Sequence, residues 1–318
     1  MQASRILQLN KNEFHGNNVV YVMSRDQRVK DNHALLAAKE IADTHEVPLF
    51  VVFVLKTVKN RSKEHYTFMV DGLEEVAADL EKKAIPFIML DGTAKDPLVD
   101  FLKKQQTGEV FFDFSPLVGA RNRAKHTAEA VDVPVSVVDT HNIIPAWVVS
   151  DKQEFAAHTM RRKVHKYFEH YLKSPDNVKK HQFQAETTPE GIGFAAARKL
   201  VEKMAAAGIS VSTVAGEKAA LKHLTSFIEK GLDTYALDRN DPSKDNLSGL
   251  SPYLHYGQLS SLRIALSLVE ALDIRPLLFE EARLMPASTA PSDVDGMNAL
   301  LEEMVVRKEL SDNYQLNQ

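Results

Sequence analysis

The chain has 318 residues, 44% of them hydrophobic and 26% charged, with a formal net charge of −4, a pI of about 6.3 and no cysteine. The lack of cysteine excludes a disulfide framework and thiolate metal sites, and no apolar run approaches the roughly 20 residues of a membrane-spanning helix. The acidic balance excludes a generally basic surface, so any nucleic-acid binding must come from a local patch.

The length predicts two globular domains. The opening segment, MQASRILQLNKNEFHG, lacks the apolar core of a signal peptide, which predicts an intracellular protein, cytoplasmic or nuclear. From Asn18 short β-rich runs alternate with amphipathic helices, the rhythm of a parallel α/β sheet. Five strands are predicted, at Val19–Met23, Leu49–Leu55, Phe87–Leu90, Glu109–Phe112 and Val135–Val138. Each is short and largely apolar, as expected of strands covered on both faces. The crossovers are Asp31–Thr44, with Leu35, Leu36 and Ile41 at helical spacing; Tyr66–Lys83, with Phe68, Met69, Leu73, Val76 and Leu80; Pro97–Gln105; and Arg121–Val131. Right-handed crossovers then give a doubly wound, Rossmann-like α/β domain over residues 1–150.

The sheet carries neither a G-x-G-x-x-G turn nor a G-x-x-x-x-G-K-[ST] loop, which disfavours nucleotide sites of those kinds. Ser24-Arg25-Asp26-Gln27-Arg28 follows the first strand at its carboxyl end, where open α/β sheets bind ligands. Arg25 and Asp26 read equally well as a surface ion pair that fixes the loop.

After His141 the strand signals stop, which places the domain boundary within Asp139–Gln184. His158–His181 concentrates positive charge and aromatics, and reads either as a phosphate-binding surface or as a solvated helix and linker, with residues 151–187 taken as linker. The helical part, residues 188–318, begins with a helix opened by Thr188-Pro189-Glu190 and stopped by Gly208. Gly216–Lys230 carries Ala220, Leu224, Phe227 and Ile228 on one face, and Ser260–Leu272 buries Leu262, Leu266 and Val269. A Pro/Ser-containing loop, Met285–Ser292, precedes the last helix.

Asp241–Ser260, DPSKDNLSGLSPYLHYGQLS, is suited to hold a phosphate-bearing ligand. Ser248 and Ser251 supply hydroxyls, Gly249 lets the backbone approach a ligand, and Pro252 suits the first position of a helix capped by Ser251. Free N–H groups and the positive end of a helix dipole would then lie beside the loop. The same residues also read as an ordinary capped helix start. In Met297–Tyr314, Leu300, Leu301, Met304 and Val305 form an apolar stripe, and Glu303, Arg307, Ser311 and Tyr314 an adjacent polar face. Glu303 and Arg307 read as an i,i+4 pair worth a few tenths of a kcal/mol, or as a site if another element covers this face and excludes water.

Together these stretches resemble the class II cyclobutane pyrimidine dimer photolyases of the photolyase/cryptochrome family. The resemblance is carried by SRILQLNKN, YVMSRDQRVKDNHALLAAKE, VVFV, DFSPL, HNIIPAWVVSDKQEF, GEKAALKHLTSFIE, Tyr235, RNDPSKDNLSGLSPYLHYGQLS and EEMVVRKELSDNY. The last is similar to the signature F-x-E-E-x-[LIVM]-[LIVM]-R-R-E-L-x-x-N-F. The resemblance implies an α/β antenna domain followed by an all-helical domain holding U-shaped FAD, with a deazaflavin or similar antenna chromophore in the α/β domain. It implies that Tyr235 and Leu247, Ser248, Gly249, Leu250 and Ser251 hold the flavin, with Ser248 and Ser251 near its phosphates, and that Arg307 lies beside flavin and substrate. Glu303 would be catalytic, facing the flipped dimer and hydrogen-bonding a pyrimidine carbonyl as it gains an electron. The implied partner is DNA containing pyrimidine dimers, and no metal is implied.

Val22 and His33 stand where the family usually has tryptophan, Val118 replaces an arginine after DFSPL, and Leu300, Lys308 and Tyr314 replace Phe, Arg and Phe of the signature. Lys308 lacks the planar donor fork of arginine, which matters if it grips flavin or DNA. The chain stops at Gln318, where the family continues with the second half of its FAD domain, and Trp147 is its single tryptophan. The expectation is therefore an incomplete FAD domain that binds the cofactor weakly or not at all and exposes unfinished core. The alternative is a non-catalytic cryptochrome-like light sensor or an α/β interaction module. Glu303 favours repair, while Val22, His33 and Lys308 lean the other way.

Overall fold

The alternating runs fold into a six-stranded sheet in the computed structural model of the protein, which describes residues 2–56, 62–204, 213–273 and 292–317. The strands are β1 (Ile6–Gln8), β2 (Val19–Val22), β3 (Leu49–Leu55), β4 (Phe87–Asp91), β5 (Glu109–Asp113) and β6 (Val135–Val138), in the order β1-β6-β5-β2-β3-β4. From β2 to β6 all pairings are parallel, so the five expected strands are present. The expected strand count is corrected to six by β1, which pairs antiparallel with β6, Ile6 opposite Val138. Its three residues are half-buried or exposed, too short and too mixed to show a period in the sequence.

Two helices lie on each face. On one side α1 (His33–Thr44) and α2 (Lys63–Glu81) cover Val19, Tyr21, Val51 and Phe53 with Leu35, Ala38, Val70 and Leu73. On the other, α3 (Pro97–Lys104) and α4 (Val118–Ala130) cover Val20, Val22, Val52, Val110 and Phe112 with Leu98, Phe101 and Ala124. Burial on both faces explains why β2 to β6 are largely apolar, and each buried large apolar side chain adds about 1.5–3 kcal/mol. Asn32 caps α1, its side chain accepting from the Leu35 N–H at 2.9 Å.

The helical part follows: α5 (Ala146–Val149), α6 (Ala157–Tyr171), α7 (Phe194–Met204), α8 (Glu217–Lys230), α9 (Leu232–Asp238), α10 (Ser251–His255), α11 (Ser261–Leu272) and α12 (Asp293–Leu301). A π-helical segment, Glu302–Arg307, continues α12 directly into α13 (Lys308–Leu316). Helix α6 buries Met160, Val164, Phe168 and Tyr171 at steps of four, four and three, so the first part of the basic segment is an amphipathic helix with inward aromatics. Beyond it the chain runs extended along β4. The Ile192 N–H donates to the Met89 carbonyl at 2.8 Å and Phe194 stacks on Phe87. That pairing delays the next helix to Phe194, correcting the start expected at Thr188–Glu190. Gly208 and most of the Met285–Ser292 loop lie outside the described residues. Among the described residues, no helix is long and apolar enough to cross a membrane.

Candidate functional site

The buried stripe of Leu300, Leu301, Met304 and Val305 sets the rotation of the last helix, leaving Arg307, Ser311 and Tyr314 exposed and Glu303 half-buried. One Glu303 carboxylate oxygen accepts from Arg239 Nη1 at 2.7 Å and lies 3.4 Å from Arg307 Nε. The carboxylate is therefore shared by two guanidiniums, and the shorter bond comes from another element, just past α9. Arg239 also lies over the Tyr235 ring, 5.9 Å from its centroid, and its buried Nε has no hydrogen-bond partner among the described residues. Tyr235 is buried edge-on against Phe227 at 5.3 Å. Burial pushes its phenol up, with Arg239 opposing. The structure thus gathers Tyr235, Glu303 and Arg307 around a residue to which the sequence reading gave no site role. Arg239 lies four residues after Tyr235, and that spacing was the available signal.

The Leu247–Ser251 loop is mostly open. Leu247 is 68% exposed, Ser251 is exposed, Ser248 is half-buried, and the fully buried Leu250 anchors the loop. Gly249 has φ +62°, and a Cβ there would collide with His223 Nε2, the atom that donates to the Ser248 carbonyl at 2.9 Å. This left-handed turn overturns the expected cap. It leaves Leu250 already in helical conformation, so Leu250 occupies the cap position without a side-chain bond, and Ser251 and Pro252 are the first residues inside α10. A helix of five residues brings little dipole, so what the loop presents is the serine hydroxyls and the glycine backbone.

The second half of the signature faces the sheet instead. Asp312 takes a forked pair from Arg25, at 3.1 and 3.2 Å. Lys308 Nζ donates to Asn142 Oδ1 and lies 3.5 Å from the His141 carbonyl. The Asn313 side chain accepts from the Glu154 N–H at 2.7 Å and donates to the Lys152 carbonyl at 2.9 Å. Glu309 is 2% exposed, and burial pushes its carboxyl up to about 8. Lys308 thus lies at the junction between sheet and helices rather than beside Glu303.

Beneath this junction, at the β2/β5 switch point, Asp113 accepts from the Tyr21 hydroxyl at 2.6 Å and from the N–H groups of Ser24, Arg25 and Asp26 at 2.7, 2.9 and 3.1 Å. The crevice where such sheets bind ligands is occupied by the chain itself. Arg25 and Asp26 do not pair with each other. Asp26 is fully buried against Arg28 at 2.6 Å and His141 at 3.1 Å. Burial alone would raise its carboxyl, but these two partners hold it well below the usual range. Burial, with Lys308 and Arg25 adding to it, lowers His141 to about 3. Among the described residues, no group of three His, Asp or Glu side chains is placed to hold a metal ion.

A doubly wound sheet joined through its carboxyl edge to a helical domain is the architecture of photolyases and cryptochromes. The structure is similar to that of a bacterial class III photolyase from Agrobacterium tumefaciens, with a TM-score of 0.72 at 18% identity, over 96% of this chain and 60% of that one. It is also similar to the cryptochrome of Synechocystis sp. PCC6803, with a TM-score of 0.66 at 13% identity, over 96% of this chain and 62% of that one. The model of the DNA photolyase family matches residues 19–187, more than half of the sequence, and the chain belongs to that family. Among curated proteins, it is 37% identical over 302 residues to the deoxyribodipyrimidine photo-lyase of Potorous tridactylus, covering 93% of this chain and 53% of that protein. It is 34% identical over 310 residues to the enzyme of the same name from Arabidopsis thaliana, covering 93% and 58%. The chain thus spans about half the length of the curated relatives it matches.

Proposed function

We propose that the chain acts in light-driven repair of cyclobutane pyrimidine dimers in DNA, as a class II deoxyribodipyrimidine photolyase. Its reaction site would be the face formed by Tyr235, Leu247–Ser251, Arg239, Glu303 and Arg307. The observation that carries this reading is the Glu303 carboxylate, held on an open helix face by Arg239 at 2.7 Å.

The fit to FAD can be judged from the residues themselves. Leu247 offers exposed apolar surface, Ser248 and Ser251 offer hydroxyls, and the buried Arg239 Nε is a donor without an acceptor among the described residues. These residues fit one wall of a flavin dinucleotide site. When bound and reduced, FAD supplies the photoexcited electron. The protein's part is to hold and polarise. The serine hydroxyls would donate to the cofactor phosphates, Tyr235 and Leu247 would exclude water from its apolar surface, and Glu303 would hold Arg239 and Arg307 beside a pyrimidine carbonyl. Arg239 and Arg307 would stabilise negative charge developing there. For a deazaflavin-like antenna, the α/β domain offers a cavity of about 320 Å³ at its junction, lined by Arg28, Lys30, Asp31, Glu217 and Arg263.

The test is to load the 318-residue chain with FAD, remove the excess, record the visible spectrum, and illuminate the reduced protein with dimer-containing oligonucleotide. The expected result is a structured flavin band and light-dependent recovery of absorbance at the base maximum, lost in Glu303→Ala. Retention of reduced FAD without dimer splitting would refute repair and favour a light sensor.

A further inference from the structure

Glu302 and Glu303 are adjacent but lead to different helices. Glu302 is buried and accepts a two-pronged bond from Arg161 of α6, with Nη2 at 2.6 Å and Nε at 3.2 Å. Glu303 turns the other way, to Arg239. Both begin the π-helical segment, in which the Lys308 N–H reaches the Glu303 carbonyl five residues back. Such segments are rare and interrupt an otherwise α-helical ladder. Slipping by one residue into α register would turn the residues beyond it by about 100°. The apolar stripe resists that slip only coarsely, because Met304, Val305 and Val306 are all buried and offer several hydrophobic faces.

What fixes the register is polar and lies at both ends of the segment. At the far end Lys308 is tied to Asn142 and the His141 carbonyl. At the near end, one residue before Glu303, stands the Arg161–Glu302 fork. A planar guanidinium bound through two nitrogens constrains direction as well as distance, which a single ammonium contact does not. The two partners are 25% and 11% exposed in their side chains, so water competes weakly for the bond.

We propose that Arg161 is a positioning residue for Glu303: by clamping Glu302 it holds the π register and so aims the neighbouring carboxylate at Arg239 and the open face. This rests on the reading of that face as the reaction site. It also gives the basic helix α6 a role beyond solvation, since Arg161 is one of the charges that composition alone assigned to a phosphate-binding or solvated surface.

The test uses the full chain with Arg161→Ala, Arg161→Lys, Glu302→Gln and the swap R161E/E302R. The first readout needs no flavin: NMR of the Glu303 carboxyl carbon and the Arg239 Nε–H. The second is the dimer-splitting rate of FAD-loaded protein alongside its FAD affinity. Arg161→Ala is expected to shift both resonances and to slow splitting by up to about 100-fold, as small misplacements of a reacting group do, at unchanged FAD affinity. Arg161→Lys should retain only part of the effect, and the swap should restore both resonances. A folded Arg161→Ala whose Glu303 and Arg239 resonances match wild type overturns the proposal, whatever its melting temperature. Should that variant not fold, Glu302→Gln, which keeps shape but removes the charge, decides by the same resonances. If wild-type protein splits no dimers, the repair reading fails by itself, because the NMR result still decides the positioning role.

Discussion

Replacing Glu309 by Gln should change how stability depends on pH, and the sign follows from where its proton goes. In the unfolded chain a glutamate releases its proton near its ordinary value of 4.5, whereas in the folded protein burial keeps it until about 8. Between those limits the folded state binds the extra proton, so its stability falls as pH rises, then levels off above about 8. The slope is at most about 1.36 kcal/mol per pH unit for one proton. Across the window from 4.5 to about 8 the ceiling is therefore about 5 kcal/mol. Glutamine keeps an acceptor for the Ile144 N–H that bonds this carboxyl, but it carries no proton to lose. Its amide must also satisfy the atom that replaces Oε2, which has no partner among the described residues, at a cost of about 1 kcal/mol. The variant should thus be slightly less stable than wild type at pH 5 and more stable at pH 8. Urea unfolding of both proteins at intervals from pH 5 to 9 measures this. Asp113 and Glu109, each raised by burial to about 7, contribute slopes of the same sign, but both are present in each protein and cancel in the difference. Parallel stability curves for the two proteins would refute the buried-proton account.

Asp312→Ala should cost about 3 kcal/mol in urea unfolding, because it leaves Arg25, 21% exposed in its side chain, without its forked partner at the junction. Gly249→Ala should cost about 1–2 kcal/mol from the left-handed backbone alone, and His223→Ala in the same chain should relieve the added collision but not that part. Gly296→Ala should lower the melting temperature more than Gly249→Ala, by the equivalent of about 3 kcal/mol, because its Cβ would run into the backbone carbonyl of Leu232 where α12 packs on α9.

The parts of the fold that were legible from sequence are those decided locally. Strands β2 to β6 announce themselves because burial on both faces demands unbroken apolar runs such as LFVVFVL. Strand β1 does not, since its pairing is fixed from outside, by the Leu9 N–H on the Val135 carbonyl and by Asn10 Oδ1 accepting from the Val135 N–H at 3.1 Å. The Ser251 cap was misplaced because a serine before a proline looks the same whether or not the preceding glycine turns left-handed. Glu303 and Arg307 were readable as one face, since their spacing is local, but the partner that holds Glu303 is 64 positions away. The same limit hid the junction. Lys308, Asp312 and Asn313 look like solvent-facing polar residues on a terminal helix, and only the fold shows that they meet Asn142, Arg25 and Glu154.

These partners divide the signature EEMVVRKELSDNY into two halves with different physical duties, the first being the π-helical segment and the second the start of α13. Ahead of Lys308, the pair beyond the buried Glu302 is half-open: Glu303 is 36% exposed in its side chain and Arg307 58%, so water screens their pairing and little stability depends on it. From Lys308 onward they are buried against the sheet, where an unpaired charge is expensive and a paired one contributes direction more than net energy. A wholly apolar junction would hold the two parts together at least as well, but it would not fix the register of the helix, because apolar contacts tolerate sliding. Directional bonds to Arg25, Asn142 and Glu154 do fix it, and the helix that carries Glu303 is thereby set by the sheet as well as by its own domain. Substitutions should therefore separate by position, with those at Glu303 and Arg307 changing chemistry at nearly constant stability and those at Lys308, Glu309, Asp312 and Asn313 changing stability first.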